Sequence, residues 1–142
     1  MKIIKIISIL VFIFPSFLSC DENDTKVTCD DEIFISAEMY NSAPNDYLNI
    51  NEVRIEDDCL FINFGSSGCS GESWELKLID SSHILESYPP QRNIRLSLKN
   101  EEACQAYFIR EVSFDISSLQ IEGVDSLYLN IENFDDQILY EY

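Results

Sequence analysis

The chain has 142 residues, 26 acidic against 9 basic side chains and a formal charge of −17, enough length for one domain with a single core. So anionic a chain is a poor ligand for nucleic acid or anionic lipid head groups; its charge suits solubility on a crowded surface, a cationic partner or divalent cations. A single histidine leaves little from which to build Ser-His-Asp or Cys-His catalysis.

Lys2 and Lys5 begin a short basic region, and residues 6–18 form an apolar run too short and one-sided for a comfortable membrane span. The run ends Phe17-Leu18-Ser19-Cys20, which resembles the lipobox of bacterial lipoproteins. That resemblance implies a signal peptide over 1–19, cleavage before Cys20 and acylation of its new N-terminus. Asp21-Glu22-Asn23-Asp24 continues as a polar tether through residue 32 and resembles the acidic export signal of surface lipoproteins in Bacteroidota. Losing the leader removes two lysines and no carboxylate, so the formal charge becomes −19.

Residues 33–142 are expected to form one domain. The segment 33–37 is a first strand, and Asn41-Ser42-Ala43-Pro44-Asn45-Asp46 is a cluster of turn formers. Val53 and Ile55 alternate with charged residues, Asp57-Asp58 makes a turn, and Leu60, Ile62 and Phe64 alternate with Phe61 and Asn63, so this is a hairpin. Gly65 to Ser73 is expected to be a wide, irregular loop around Cys69. Trp74, Leu76 and Leu78 set the parity of the next strand, with Trp74 in the core. The segment 81–90 runs out at Pro89 and Pro90, which cannot donate to a ladder. Ile94, Leu96 and Leu98 mark a further strand, and residues 104–116 share one apolar parity over a long span, with a bend or bulge expected where Arg110 interrupts it. Strands at 127–131 and 138–142 complete the chain. No apolar spacing of three and four persists long enough for a helix. The reading is all-β: an antiparallel β-sandwich of roughly seven to nine short strands, stapled by disulfides.

With Cys20 acylated, Cys29, Cys59, Cys69 and Cys104 remain, an even number in an exported chain, so two disulfides are expected. No C-x-x-C pair favours zinc. Three pairings are open. Cys69 with Cys104 and Cys29 with Cys59 is the favoured one, since it ties the Gly-rich loop to a late strand and fastens the N-terminal segment.

Paired carboxylates such as Asp57-Asp58 and Asp135-Asp136 would suit a glycosidase only on rigid elements in a sugar-sized cleft. They carry oxygens of the kind calcium takes, but no D-x-D-x-D-G loop is present, so no metal and no cofactor is expected. His83, in a Ser-rich segment, reads as a solvated loop residue. Trp74, Tyr88, Tyr107 and Tyr128 offer rings on which a sugar or a partner's side chain can stack.

The segments DCLFINFGSSGCSGESWELKLID, ESYPPQRNIRLSL, CQAYF and VSFDISSLQ together resemble a family of small uncharacterised lipoproteins from Flavobacteria and related Bacteroidota. The resemblance covers most of the exported chain. It implies a Gly-Cys loop bridged to a later cysteine, which supports pairing Cys69 with Cys104, and a Ser-x-Pro-Pro-Gln segment. A histidine that follows the Gly-Cys in some relatives is here replaced by Ser70-Gly71-Glu72-Ser73, and the resemblance implies no activity.

The function expected is therefore that of a non-enzymatic lipoprotein, anchored through its acyl chains in the outer membrane on the surface or periplasmic side. It would bind an envelope protein or a glycan. The binding loops expected are Ser66, Ser67, Ser70 and Glu72 beside Tyr88, Gln91 and Arg92, because irregular anchored segments are where function concentrates. The rivals are a carboxylate-dependent hydrolase of polysaccharide and a protease inhibitor built on stapled loops.

Overall fold

The computed structural model describes residues 27–142, so the leader, Cys20 and most of the acidic tether lie outside the described residues. The elements are β1 (Asp31–Glu32), β2 (Phe34–Ile35), α1 (Ala37–Ser42), β3 (Asn49–Glu56), β4 (Cys59–Gly68), β5 (Glu75–Leu85), β6 (Gln91–Lys99), β7 (Ala106–Asp115), β8 (Ser126–Ile131) and β9 (Ile138–Glu141). They form a four-stranded sheet, ordered β1-β7-β4-β3, and a five-stranded sheet, ordered β2-β5-β6-β8-β9. The fold is the expected disulfide-stapled β-sandwich.

Alternation decides which side of each strand is dry. Leu60, Ile62 and Phe64 of β4 meet Leu78 of β5, Ile94, Leu96 and Leu98 of β6, Phe114 of β7 and Leu127, Leu129 and Ile131 of β8 in one apolar core. Each such side chain stabilises the fold by about 1.5 to 3 kcal/mol relative to exposure.

Three pairings are parallel, β1 with β7, β2 with β5 and β6 with β8, where an antiparallel sandwich is expected. The reason lies in the connections. Residues 31–35 cross from one sheet to the other, turning Ile33 into the core between two-residue strands. The segment 116–125 leaves β7 and enters the five-stranded sheet at the end where β6 also begins, so β8 must run beside β6 in the same direction.

Four further features differ from expectation. The chain has a short helix, α1, whose Ser36 Oγ accepts the Met39 N–H at 3.2 Å. Its six residues are too few to show apolar periodicity. Arg95, on the outer side of β6, holds the other end by donating to Tyr40 O at 2.6 Å and Ala43 O at 2.8 Å, while Ser97 Oγ donates to Pro44 O at 2.6 Å. Second, β4 continues through Gly68, so Gly65 to Gly68 is strand and not loop. Third, β5 continues past a bulge between Asp80 and Ile84, where Ser82 takes φ 64, and so includes His83. Finally, β7 has no bulge at Arg110, its register with β4 being unbroken from Ala106 to Asp115.

The disulfides are Cys29–Cys59, with Cα atoms 5.5 Å apart, and Cys69–Cys104, at 4.8 Å.

Candidate functional site

The Gly-Cys loop, one segment expected to bind, is closed on itself. The Glu102 carboxylate accepts the backbone N–H groups of Cys69 (2.5 Å), Ser70 (3.0 Å) and Gly71 (3.0 Å) and the Ser73 hydroxyl (2.8 Å). Successive N–H groups turned inward make a concave anion nest, and Gly71, at φ 74, permits the turn. These donors, the Gly71 N–H foremost, hold Glu102 down to about pKa 2. Arg110 donates to Gly71 O at 2.5 Å and lies 5.9 Å over Trp74, which explains a cation on an apolar strand face. Trp74 itself is buried, 6.0 Å from Phe64. Ser66 is buried and donates to Tyr47 O at 2.7 Å, Ser67 is exposed, and Ser70 Oγ accepts the Glu72 N–H at 3.3 Å.

The other expected loop is not beside it. Glu75 pairs with Lys99 next to the Gly-Cys loop, and Leu85 pairs with Gln91 at the far end of the same hairpin. An extended strand of that length separates them by roughly 30 Å. The expectation of one shared site is corrected on this point: the two segments flank opposite ends of β5, and an extended strand with a single bulge cannot bring its own ends together.

At that far end Tyr88 is 100% exposed. It flanks an open apolar cleft with Ile84, Pro90, Ile121 and Val124. Gln91 Oε1 accepts from Asn130 and Gln137, each at 3.1 Å. Arg92 is buried and donates to Asp80 Oδ1 at 3.1 Å; Asp80 also accepts the Ser82 N–H at 2.8 Å. Gln91 and Arg92 thus serve the fold. Burial raises the Asp80 carboxyl above its usual range, and Asp80 Oδ2 and Arg92 Nε have no partner among the described residues. His83 is exposed, its Nδ1 2.8 Å from Ser81 O.

A third surface is built by the outward parity of the four-stranded sheet. Phe61, Asn63, Gly65 and Ser67 of β4 face away from the core that Leu60, Ile62 and Phe64 enter. Across from them, by register, stand Asn49 and Arg54 of β3 and Tyr107, Ile109 and Glu111 of β7. The half near Cys59 is occupied by ion pairing: Arg54 lies 4.0 Å over the Phe61 ring and donates to Glu111 at 2.7 and 3.2 Å and to Glu56 at 3.0 Å.

The half near the Gly-Cys loop carries no ionic group on β4 or β7 above Glu111. Its centre is Tyr107, whose ring lies over Gly65, so closely that a Cβ there would sit 2.5 Å from Cζ and 2.6 Å from Cε1. The ring is nevertheless 52% exposed, and Ile109 beside it 63%. Along its flank Asn49 Nδ2 donates to Asn51 Oδ1 at 2.9 Å and Asn51 Nδ2 to Asn63 Oδ1 at 2.9 Å. The arrangement offers one aromatic face on a fixed seat, with a row of amides held in register beside it.

Of these residues, sequence reasoning singles out Tyr107 as one of four stacking aromatics. It misses Asn49, Asn51 and Asn63. The available signal is the outward parity Phe61, Asn63, Gly65, Ser67, in which a glycine on the wet side of a strand marks where a neighbouring ring lies down.

No family model and no curated protein matches the chain. Among solved structures it is similar to a protein of unknown function (DUF1344) from Bacteroides vulgatus, at 16% identity and a TM-score of 0.55 over 79% of this chain and 56% of that one. It is also similar to a NigD-like immunity protein from Bacteroides caccae, at 9% identity and a TM-score of 0.59 over 80% of this chain and 60% of that one. The likeness is one of fold, and the chain spans less than two thirds of either.

Proposed function

We propose that this chain is a non-enzymatic binding module of the bacterial cell envelope, acylated at Cys20, anchored in the outer membrane, and taking its partner on the outer face of the four-stranded sheet. The observation that carries the placement is Tyr107, a half-exposed ring seated on Gly65 beside an ordered amide row. Side chains that are held still and yet stay exposed are the ones a partner meets at low entropic cost. The Gly-Cys loop is bound already by Glu102, and Arg92 by Asp80.

The anchor rests on the resemblance of Phe17-Leu18-Ser19-Cys20 to a lipobox. Six residues lie between Cys20 and Val27, seven backbone steps with a reach of at most about 25 Å. Val27 lies beside Asp57, at the end opposite the Gly-Cys loop. The strip around Tyr107 is thus at the membrane-distal end, open to large partners.

Two experiments test the two halves. Radiolabelled palmitate should enter the chain in cells, and Cys20→Ser should abolish the labelling; unchanged labelling would remove the anchor. A photo-crosslinking residue at Ile109 should yield envelope adducts that the same residue at Tyr88 does not. Adducts from position 88 alone would move the binding surface to the apolar cleft.

A further inference from the structure

We infer that the ligand of this face is a neutral glycan, stacked by a sugar ring on Tyr107 and held at its hydroxyls by Asn49, Asn51 and Asn63. The inference rests on the reading that this face is the binding surface and adds the chemistry of what it binds.

A chain with 26 carboxylates repels polyanions, and the strip is bordered at Asn63 by Glu52 on one side and on the other by Glu111, which is paired with Arg54. A cationic partner would be drawn to the carboxylates that crowd elsewhere, whereas the strip itself offers a phenol, an aliphatic side chain and amides. Those groups match a ligand that is uncharged, has apolar C–H faces and is edged with hydroxyls. An aromatic face takes the apolar side of a pyranose. Amides both donate and accept, as hydroxyls do; among the described residues the Asn49 carbonyl oxygen and the Asn63 amino group are left uncommitted by the hydrogen bonds that order the row.

The geometry agrees in scale. Tyr107 stands opposite Ser67, four residues along β4 from Asn63, and Asn49 stands opposite Gly65; at about 3.3 Å per residue and about 4.8 Å between strands the phenol and the far amide lie about 14 Å apart, the length of roughly three sugar rings. The site is also preformed. Gly65 leaves the space into which the ring lies, and the amide row is fixed before any ligand arrives, so binding need not order it.

The test is titration calorimetry of the full chain in detergent with neutral mannan, β-glucan, xylan and galactan oligosaccharides, and with polygalacturonate as the anionic control. Saturable binding to at least one neutral glycan, none to polygalacturonate, and a loss of tenfold or more in Tyr107→Ala support the inference. Gly65→Ala separates the seat from the ring. The atoms its Cβ meets first belong to the far end of the Tyr107 side chain, so the variant should keep the wild-type melting transition and still lose severalfold in affinity, while Tyr107→Phe retains most of it. No binding across the neutral panel, preference for polygalacturonate, or affinity indifferent to Tyr107→Ala would overturn the glycan. If the panel fails while Ile109 still crosslinks a protein, the binding surface stands and the ligand chemistry falls. If sedimentation shows a dimer that Ile109→Lys dissolves, the face belongs to a second copy along the β7 edge and the glycan is again excluded.

Discussion

Single residues carry the chemistry that the loops were expected to carry. Glu102 shows how. Its carboxylate fills the nest that Cys69, Ser70 and Gly71 form, and its pKa of about 2 lies below the ordinary 4.5. A depressed carboxyl contributes stability that is present above the unfolded value and lost as pH falls through the folded one. Glu102→Gln should therefore lower the melting temperature by a constant amount above about pH 4.5, with the gap to wild type closing as pH falls towards 2. Asp80 runs the other way: burial raises its pKa, so its contribution is greatest in acid and declines as pH rises. Melting curves of Glu102→Gln and Asp80→Asn from pH 2 to 7 check the two signs, and a gap for Glu102→Gln that widens in acid would contradict the nest as the cause.

At the scale of elements, alternation made most of the fold legible. β4, β6 and β8 each present three apolar residues of one parity, so their dry faces are readable from the chain. The long run ahead of Ile116 is one strand for the same reason. What alternation cannot show is a strand of two residues or a helix of six. β1, β2 and α1 exist because Ile33 finds the core and because Arg95 and Ser97 collect the carbonyls after Tyr40. Nor does it show strand direction, which the route of 116–125 decides. The cysteines are more telling, since each bridge fastens a segment that lies outside any strand, the one holding Cys29 and the one holding Cys104. By loop length, 30 and 35 residues apart in sequence, each is worth about 3 to 4 kcal/mol in the chain-entropy model. Replacing Cys69 and Cys104 by serine should cost about that much in denaturant unfolding, with the Cys29–Cys59 end left intact. The buried Asp80–Arg92 pair gives a second test. Arg92→Leu leaves a charge alone in the core and should cost about 3 to 5 kcal/mol, while Asp80→Leu combined with Arg92→Leu should recover much of the loss. A double variant no better than the single would show that the pair contributes through packing alone.

At the scale of the whole molecule, several loops are tied down while the outer face of the four-stranded sheet and the Tyr88 cleft stay open. Glu102 seals the loop at one end, the carboxylates of Asp30 and Asp58 take hydrogen bonds from Ser113 and Tyr140 at the other, and α1 covers part of the five-stranded sheet. The location of the candidate site was only half legible in the chain, because it depends on register. Tyr107 can be read as a stacking ring, but that it lies over Gly65 follows from β7 being paired with β4 so that Ile109, two residues on, stands opposite that glycine. No local pattern encodes a pairing across more than forty residues. The most direct measurement is a backbone amide shift map of the full chain in detergent, titrated with a digest of neutral polysaccharide. A glycan seated on this face should shift Asn49, Asn51, Asn63, Gly65, Tyr107 and Ile109 together. Shifts confined to residues 84–90 and 121–125, around the Tyr88 cleft, would contradict that placement.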